Sequence, residues 1–321
     1  MRLADGDVRA VLLALAIEPG ADVVLRPLAA GAYHEHAVLE VQGRGLVLRR
    51  CLASQWGLSP AAQLAREWAT LEALRPSEMA PAPHALVPDA PGGPLLVEGL
   101  VPGRRFGAED LPALGVSLAT VHALRPSHLP QVDARAELKA DGAAWLDRAR
   151  ASGADLAVVA LLGELGQRAG VCGASMGAAA LVHTDLNAGN LLVADDGVCR
   201  LVDWEAARVG DPAWDLAHAI SPTTTQWDAA DPRILAPAQV ETFLRVYADA
   251  AGAPGAAAVG RLPGLLDAVM FRALAWCLGF GAEARAARHQ QPGELAATLA
   301  RFSAPAFIER CLGARTALGL G

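Results

Sequence analysis

The stretch Leu181–Glu205, "LVHTDLNAGNLLVADDGVCRLVDWE", sets a histidine, an asparagine and several acids at the edges of two short apolar runs. Leu191–Val193 and Val198–Val202 are β-prone, and Asp195-Asp196-Gly197 between them has the chemistry of a tight hairpin turn. Folding back at that turn puts the root of one strand beside the exit of the next, so Asn190 and Asp203 are expected at one end of the sheet. An amide oxygen and a carboxylate are hard ligands of the kind Mg²⁺ takes while keeping waters and substrate phosphates. Asp185, earlier on the same loop, is then expected to reach a hydroxyl held at that metal, with His183 two residues before it. A base, two metal ligands and a rigid link between them are what position an acceptor in line with a nucleotide phosphate. Singly, an H-x-D, an Asp-Gly turn or a helix opened by Asp211-Pro212 is ordinary; their order and spacing carry the reading.

Working outward, Ala21–Cys51 is strand-like, with "QGRG" as a hairpin turn. Ser59 and Pro60 supply an N-cap and a first-turn proline for a helix to Leu74, stopped by Pro76. Leu64, Trp68, Leu71 and Leu74 recur at helical spacing and are expected to face the sheet. The Pro/Gly-rich stretch 81–106 holds one strand, Leu95–Leu100, and divides an N-terminal lobe, 1–100, from a C-terminal lobe, 101–321. In the latter, Asp110–Leu124, Asp133–Arg150 and Asp155–Ala169 read as helices, as do the Ala-rich segments after Asp211, while "GAPGAAAVG" (Gly252–Gly260) reads as a loop.

Composition narrows the partners. The chain has 321 residues, 53% of them hydrophobic, which is enough for a sizeable core. Lys+Arg number 27 against 34 Asp+Glu, a net charge of -7, and the basic residues group only as pairs, Arg49-Arg50 and Arg104-Arg105. Nucleic acid and acidic membrane surfaces are therefore poor partners. Five scattered cysteines contain no C-x-x-C and read as buried thiols in a reducing compartment. Val11–Ile17 is preceded by Asp5 and Asp7 where a secretion signal needs basic residues, and no apolar run reaches bilayer length, so a cytoplasmic location is expected.

The pattern H-x-D-x-x-x-x-N, followed by an Asp beyond a hairpin, is similar to the catalytic and metal-binding loops of the protein-kinase-like superfamily. More narrowly, "VHTDLNAGNLLV" with "LVDWEAARVGDPAWDLA" resembles the aminoglycoside phosphotransferase and choline kinase family. That resemblance implies an α+β, two-lobed protein-kinase-like fold, with a small antiparallel-sheet N-lobe ending in a hinge and a mainly helical C-lobe. It implies a small-molecule kinase using ATP and Mg²⁺, with Asp185 catalytic, Asn190 and Asp203 holding the metal, and His183 and Asp215 supporting the catalytic loop.

In the N-lobe, alternation along "LVLR" turns Arg49 away from Leu46 and Leu48, and so towards the nucleotide phosphates, where a protein kinase has Lys. Arg50 takes that place if the register slips by one. Glu67 occupies the position of the helix acid that pairs with this cation. Gly31 in "LAAGAYHEH" stands in a phosphate-covering loop that lacks G-x-G-x-x-G. Val97, Glu98 and Leu100 are the hinge residues whose backbone is expected to meet the adenine edge. For the acceptor, carboxylates and ring faces, with Glu205, Trp204 and Trp276 foremost, suit an amine-bearing, aminoglycoside- or choline-like alcohol. The rivals are an inactive nucleotide-binding pseudokinase and a protein kinase. The second is disfavoured because no A-P-E follows Asp203 and "DPAWDLA" begins only eight residues later.

Overall fold

The computed structural model describes residues 3–28, 33–54, 56–171, 177, 179–228, 231–287 and 293–320; Gly31 and Cys172 lie outside them. The chain forms two compact units.

The first unit comprises Met1–Arg104, Pro126–Leu129 and Leu192–Ala207. Helix α1 (Asp5–Ala14) precedes five strands, β1 (Val23–Pro27), β2 (His34–Val41), β3 (Arg44–Cys51), β4 (Pro83–Val87) and β5 (Leu95–Gly99), which form one antiparallel sheet in the order β1-β2-β3-β5-β4. Strand alternation decides its two faces. Leu46 and Leu48 of β3 and Val97 of β5 belong to the same buried cluster as Val11 and Leu12 of α1. A fully buried Leu of this kind contributes about 2 kcal/mol. Val47 and Arg49 lie on the opposite face.

Helix α2 (Pro60–Leu74) begins where Ser59 accepts a hydrogen bond from the Ala62 amide at 3.2 Å. Its buried residues are Gln63, Leu64, Glu67, Thr70, Leu71 and Leu74, a helical stripe in which a glutamine and a glutamate are interleaved with leucines, while Trp68 is only half-buried. The hairpin of Leu191–Val193 and Cys199–Leu201 turns at Gly197, whose φ of 80° a side chain would resist. Its second strand is tied down by the Leu201 amide, which donates to the Met79 carbonyl at 2.8 Å.

The second unit comprises Arg105–Arg125, Pro130–Leu191 and Arg208–Gly321. It is mainly helical: α3 (Leu111–Val121), α4 (Ala134–Ala151), α5 (Leu156–Val171), α6 (Ala213–Ile220), α7 (Pro222–Thr225), α8 (Pro237–Ala286), α9 (Gly293–Phe302), α10 (Pro305–Leu312) and α11 (Ala314–Ala317). Ala180–Val182 and Arg208–Gly210 pair antiparallel, anchoring the segments on either side of the hairpin.

Two expectations are corrected in α8. "GAPGAAAVG" is helical, not a loop; only Gly252, at φ 65° and ψ -147°, breaks the helix, and Pro254 falls in the first turn after that break, where its missing N–H costs little. The same helix is also long and apolar enough to cross a membrane, against the expectation that no run is, yet its apolar stretch is mostly buried within the unit. Its hydrophobicity is spent on the core.

Candidate functional site

In the first unit the site grows from β3. Arg49 is 2% exposed; its Nε lies 2.8 Å from Glu67 Oε2, its Nη2 donates to Asp203 Oδ1, and the same nitrogen is 3.7 Å from Glu205 Oε2. Arg50 turns the other way and pairs with the buried Asp7 of α1 at 2.9 Å. The alternative register is thereby excluded. Glu67 is held from its other side by Gln63, whose Nε2 donates to Oε1 at 2.8 Å. A buried carboxylate survives only with such company. Burial pushes Glu67 and Asp203 up, but the Arg49 guanidinium, together with His34 and, at Glu67, Gln63, holds both below the usual carboxylate range. At Glu98 burial wins over the Arg49 charge and, with Glu67 and Asp203 nearby, pushes it up to about 7.

Backbone strain marks one residue beside or within the site in each unit. Asp203 and Thr184, the residue before Asp185, both have φ of 68°, a left-handed conformation costing on the order of 1 kcal/mol for a residue with a side chain.

Residues expected at the nucleotide or the acceptor have partners within the protein. The Leu100 amide, expected at the adenine edge, donates to the Gly45 carbonyl at 3.0 Å, and the Gly99 amide to Ala82 at 2.8 Å, while Val97 and Glu98 are internal to the β3-β5-β4 ladder. Those donors are used by the sheet. Glu205 joins the Arg49 group: its carboxylate lies 2.6 Å from His34 Nδ1, and its carbonyl accepts from Gln63 Nε2 and Arg66 Nη2. Trp204 is 3% exposed, with Nε1 donating to the Leu201 carbonyl, so it serves the core of the first unit. Trp276 belongs to the second unit, half-buried, its ring stacked on Phe280 at 5.2 Å between centroids and edge-on to Trp145. The three residues expected to share the acceptor are thus divided between the units.

In the second unit the site grows from Asp215, which is fully buried on α6. Its two oxygens accept the main-chain amides of His183 and Thr184 at 2.7 and 2.8 Å, so the loop leading to Asp185 hangs from one carboxylate. His122 Nε2 lies 3.1 Å from the same carboxylate, and its Nδ1 lies 2.9 Å from the Tyr247 hydroxyl. Burial raises Asp215, yet these bonds, His122 first, bring it below the ordinary value.

Asp185 itself is half-exposed. Oδ2 accepts from Asn190 Nδ2 at 3.0 Å and Oδ1 from Asn187 Nδ2 at 3.1 Å. Asn190 also donates to the Asp185 carbonyl at 2.9 Å, which uses both Nδ2 hydrogens and leaves Oδ1 as its acceptor atom. His218, unmarked in the sequence, accepts the Leu186 amide through Nδ1 at 3.2 Å. Neither His122 nor Tyr247 carried a signal either, since a lone His or Tyr in an apolar helix has no distinctive spacing.

A profile of the phosphotransferase enzyme family matches residues 24–259. No curated protein sequence matches the chain. Among solved structures, the apoenzyme of the macrolide 2'-phosphotransferase MphH from Brachybacterium faecium is similar at 21% identity and a TM-score of 0.61, covering 93% of this chain and 98% of that one. Spectinomycin phosphotransferase, APH(9)-Ia, in complex with ADP and spectinomycin, is similar at 12% identity and TM-score 0.63, covering 92% and 94%. The choline kinase LicA from Streptococcus pneumoniae is similar at 13% identity and TM-score 0.57, again covering 92% and 94%. The antiparallel sheet and the helical unit therefore have the α+β, kinase-like fold of these enzymes.

Proposed function

Since this chain belongs to the phosphotransferase enzyme family and is a small-molecule kinase, we propose that it transfers the γ-phosphoryl group of ATP to a hydroxyl of an amine-bearing molecule, aminoglycoside- or choline-like, in the cytoplasm. The first unit holds the nucleotide and the second the acceptor. Asp185 takes the acceptor's proton as its oxygen bonds to the γ-phosphorus; the bond to the β,γ-bridging oxygen breaks and ADP leaves.

The observation that carries the reading is the environment of Asp185. Two neutral side-chain amides orient its oxygens, so the direction of the carboxylate is set without an ion pair. Each of the two residues that the resemblance assigns to Mg²⁺ offers a hard oxygen in its own unit, Asn190 its Oδ1 and Asp203 an ionised carboxylate, and the ion when bound would supply positive charge to the phosphate oxygens. Arg49, held by Glu67, adds a fixed charge for the phosphates. Half-buried ring faces at Trp227, Trp276 and Phe280 suit a cationic amine.

Isothermal titration with Mg-ATP, followed by an ADP-release assay over amino alcohols, aminoglycosides and macrolides, tests this. Binding and turnover of at least one amine-bearing alcohol are expected. Binding without turnover of any acceptor would leave a nucleotide-binding pseudokinase instead.

A further inference from the structure

His34, on β2, stands between two carboxylates. Its Nδ1 is 2.6 Å from Glu205 Oε2, its Nε2 is 3.2 Å from Glu67 Oε1, and its side chain is only 3% exposed. The surrounding charges do not balance without it. Glu67, Glu205, Asp203 and the buried Glu98 all act on the single guanidinium of Arg49. Glu67 and Asp203 both stay ionised beside this one guanidinium, with Glu205 next to them, which leaves negative charge in excess where a nucleotide phosphate must bind, and a second cation offsets it.

A metal ion is one candidate, because ligand atoms of His34, Glu67 and Glu205 lie within 4.8 Å of one another. The ring argues against it. A metal takes one imidazole nitrogen, whereas here Nδ1 and Nε2 lie at ion-pair distance from two different carboxylates, Nε2 without a directed hydrogen bond, an arrangement that suits a positively charged ring.

We propose that His34 is a positioning residue for phosphoryl transfer: a buried histidinium clamp that neutralises Glu67 and Glu205 and so keeps the charge of Arg49 from being cancelled before the nucleotide phosphates arrive. This rests on the assignment of Arg49 to those phosphates. The groups facing the ring come from every neighbouring element: Glu67 from α2, Arg49 and Cys51 from β3, Glu98 from β5, His36 from its own strand, and Asp203 and Glu205 after the hairpin. Burial lowers the imidazole and Arg49 opposes its charge, but the carboxylates of Glu205 and Glu67 win, and its pKa rises from 6.5 to about 8. A raised value means the clamp is fully charged below about 6.5 and is lost as pH climbs through about 8. Glu98 ionises separately near 7.

The test compares Mg-ATP affinity of the full chain and of His34→Gln by isothermal titration between about pH 7.5 and 9.5. The natural protein is expected to lose affinity about tenfold over that range, and His34→Gln to start weaker and stay flat. NMR titration of the His34 ring in the unmutated protein reads the same property and serves if the variant does not fold. Equal pH dependence in both proteins, or a ring titrating at or below the ordinary histidine value, overturns the clamp. So does Zn²⁺ binding without nucleotide that His34→Gln abolishes. If Mg-ATP binds at no pH, the phosphotransfer assignment of Arg49 falls, while the ring titration still decides whether the clamp exists.

Discussion

Asp185 in the second unit is oriented by dipoles, and Arg49 in the first by charges. Two side-chain amides aim the Asp185 oxygens, and the loop before it hangs by two main-chain N–H groups from Asp215. Arg49 is surrounded instead by Glu67, Asp203 and Glu205, with His34 as a second cation nearby. Amide dipoles do not titrate, so the direction of the Asp185 side chain is set without an ion pair of its own. Ion pairs respond to protonation and to any incoming phosphate or cation. On the proposed roles, the difference teaches that a group accepting a proton is served by fixed direction, whereas a group meeting a variable charge is served by partners that can be exchanged.

The largest effect is expected from Asp185→Asn, which keeps the shape, removes the base and, because its new Nδ2 cannot accept, keeps only one of the two amide partners. Turnover should fall roughly 10²–10⁴-fold while Mg-ATP affinity in titration calorimetry changes little. Turnover near the original rate would end the comparison, since the dipole-held acid would then have no chemical task.

Asp215→Ala strips two main-chain amides and His122 of a buried partner and should destabilise the chain by about 3–5 kcal/mol, read from chemical denaturation. Because the folded-state value of Asp215 is depressed, its contribution is present above the ordinary carboxylate range and disappears as pH falls below it. The variant should therefore flatten the acid limb of the stability profile.

Substitution of Arg49 separates charge from geometry. Arg49→Met should weaken Mg-ATP binding roughly 10–100-fold, and Arg49→Lys by about tenfold or less, because an ammonium restores the charge without the fork that engages Glu67 and Asp203 together. Equal losses in the two variants would show that geometry, as at Asp185, governs the first unit as well. The smallest effect belongs to the hairpin: Gly197→Ala, at φ 80°, should cost about 1 kcal/mol in denaturation and leave Mg-ATP affinity unchanged.

Legibility in the sequence followed the range of the interaction. The Ser59-Pro60 start of α2, the Asp195-Asp196-Gly197 turn and the strand pattern around Arg49 are local, written in residues a few positions apart, and all three appear in the structure. Gly252–Gly260 misled because Gly and Pro signal a break wherever they occur, and the alanines around a single kink carried the helix through. The Leu100 amide was misjudged because a strand's last donors go to whichever neighbour lies beside them, and sequence does not name that neighbour.

By itself the sequence determined which residues could act: the spacing His183, Asp185, Asn190, the Asp203 beyond a tight turn, and an arginine on an alternating strand. Only the tertiary structure decided how each is held. Glu67 is buried against Arg49, Glu205 is drawn to His34 and Trp204 is spent on the core, because partners far apart in the chain meet through packing, and the energy of a buried charge depends on who those partners are.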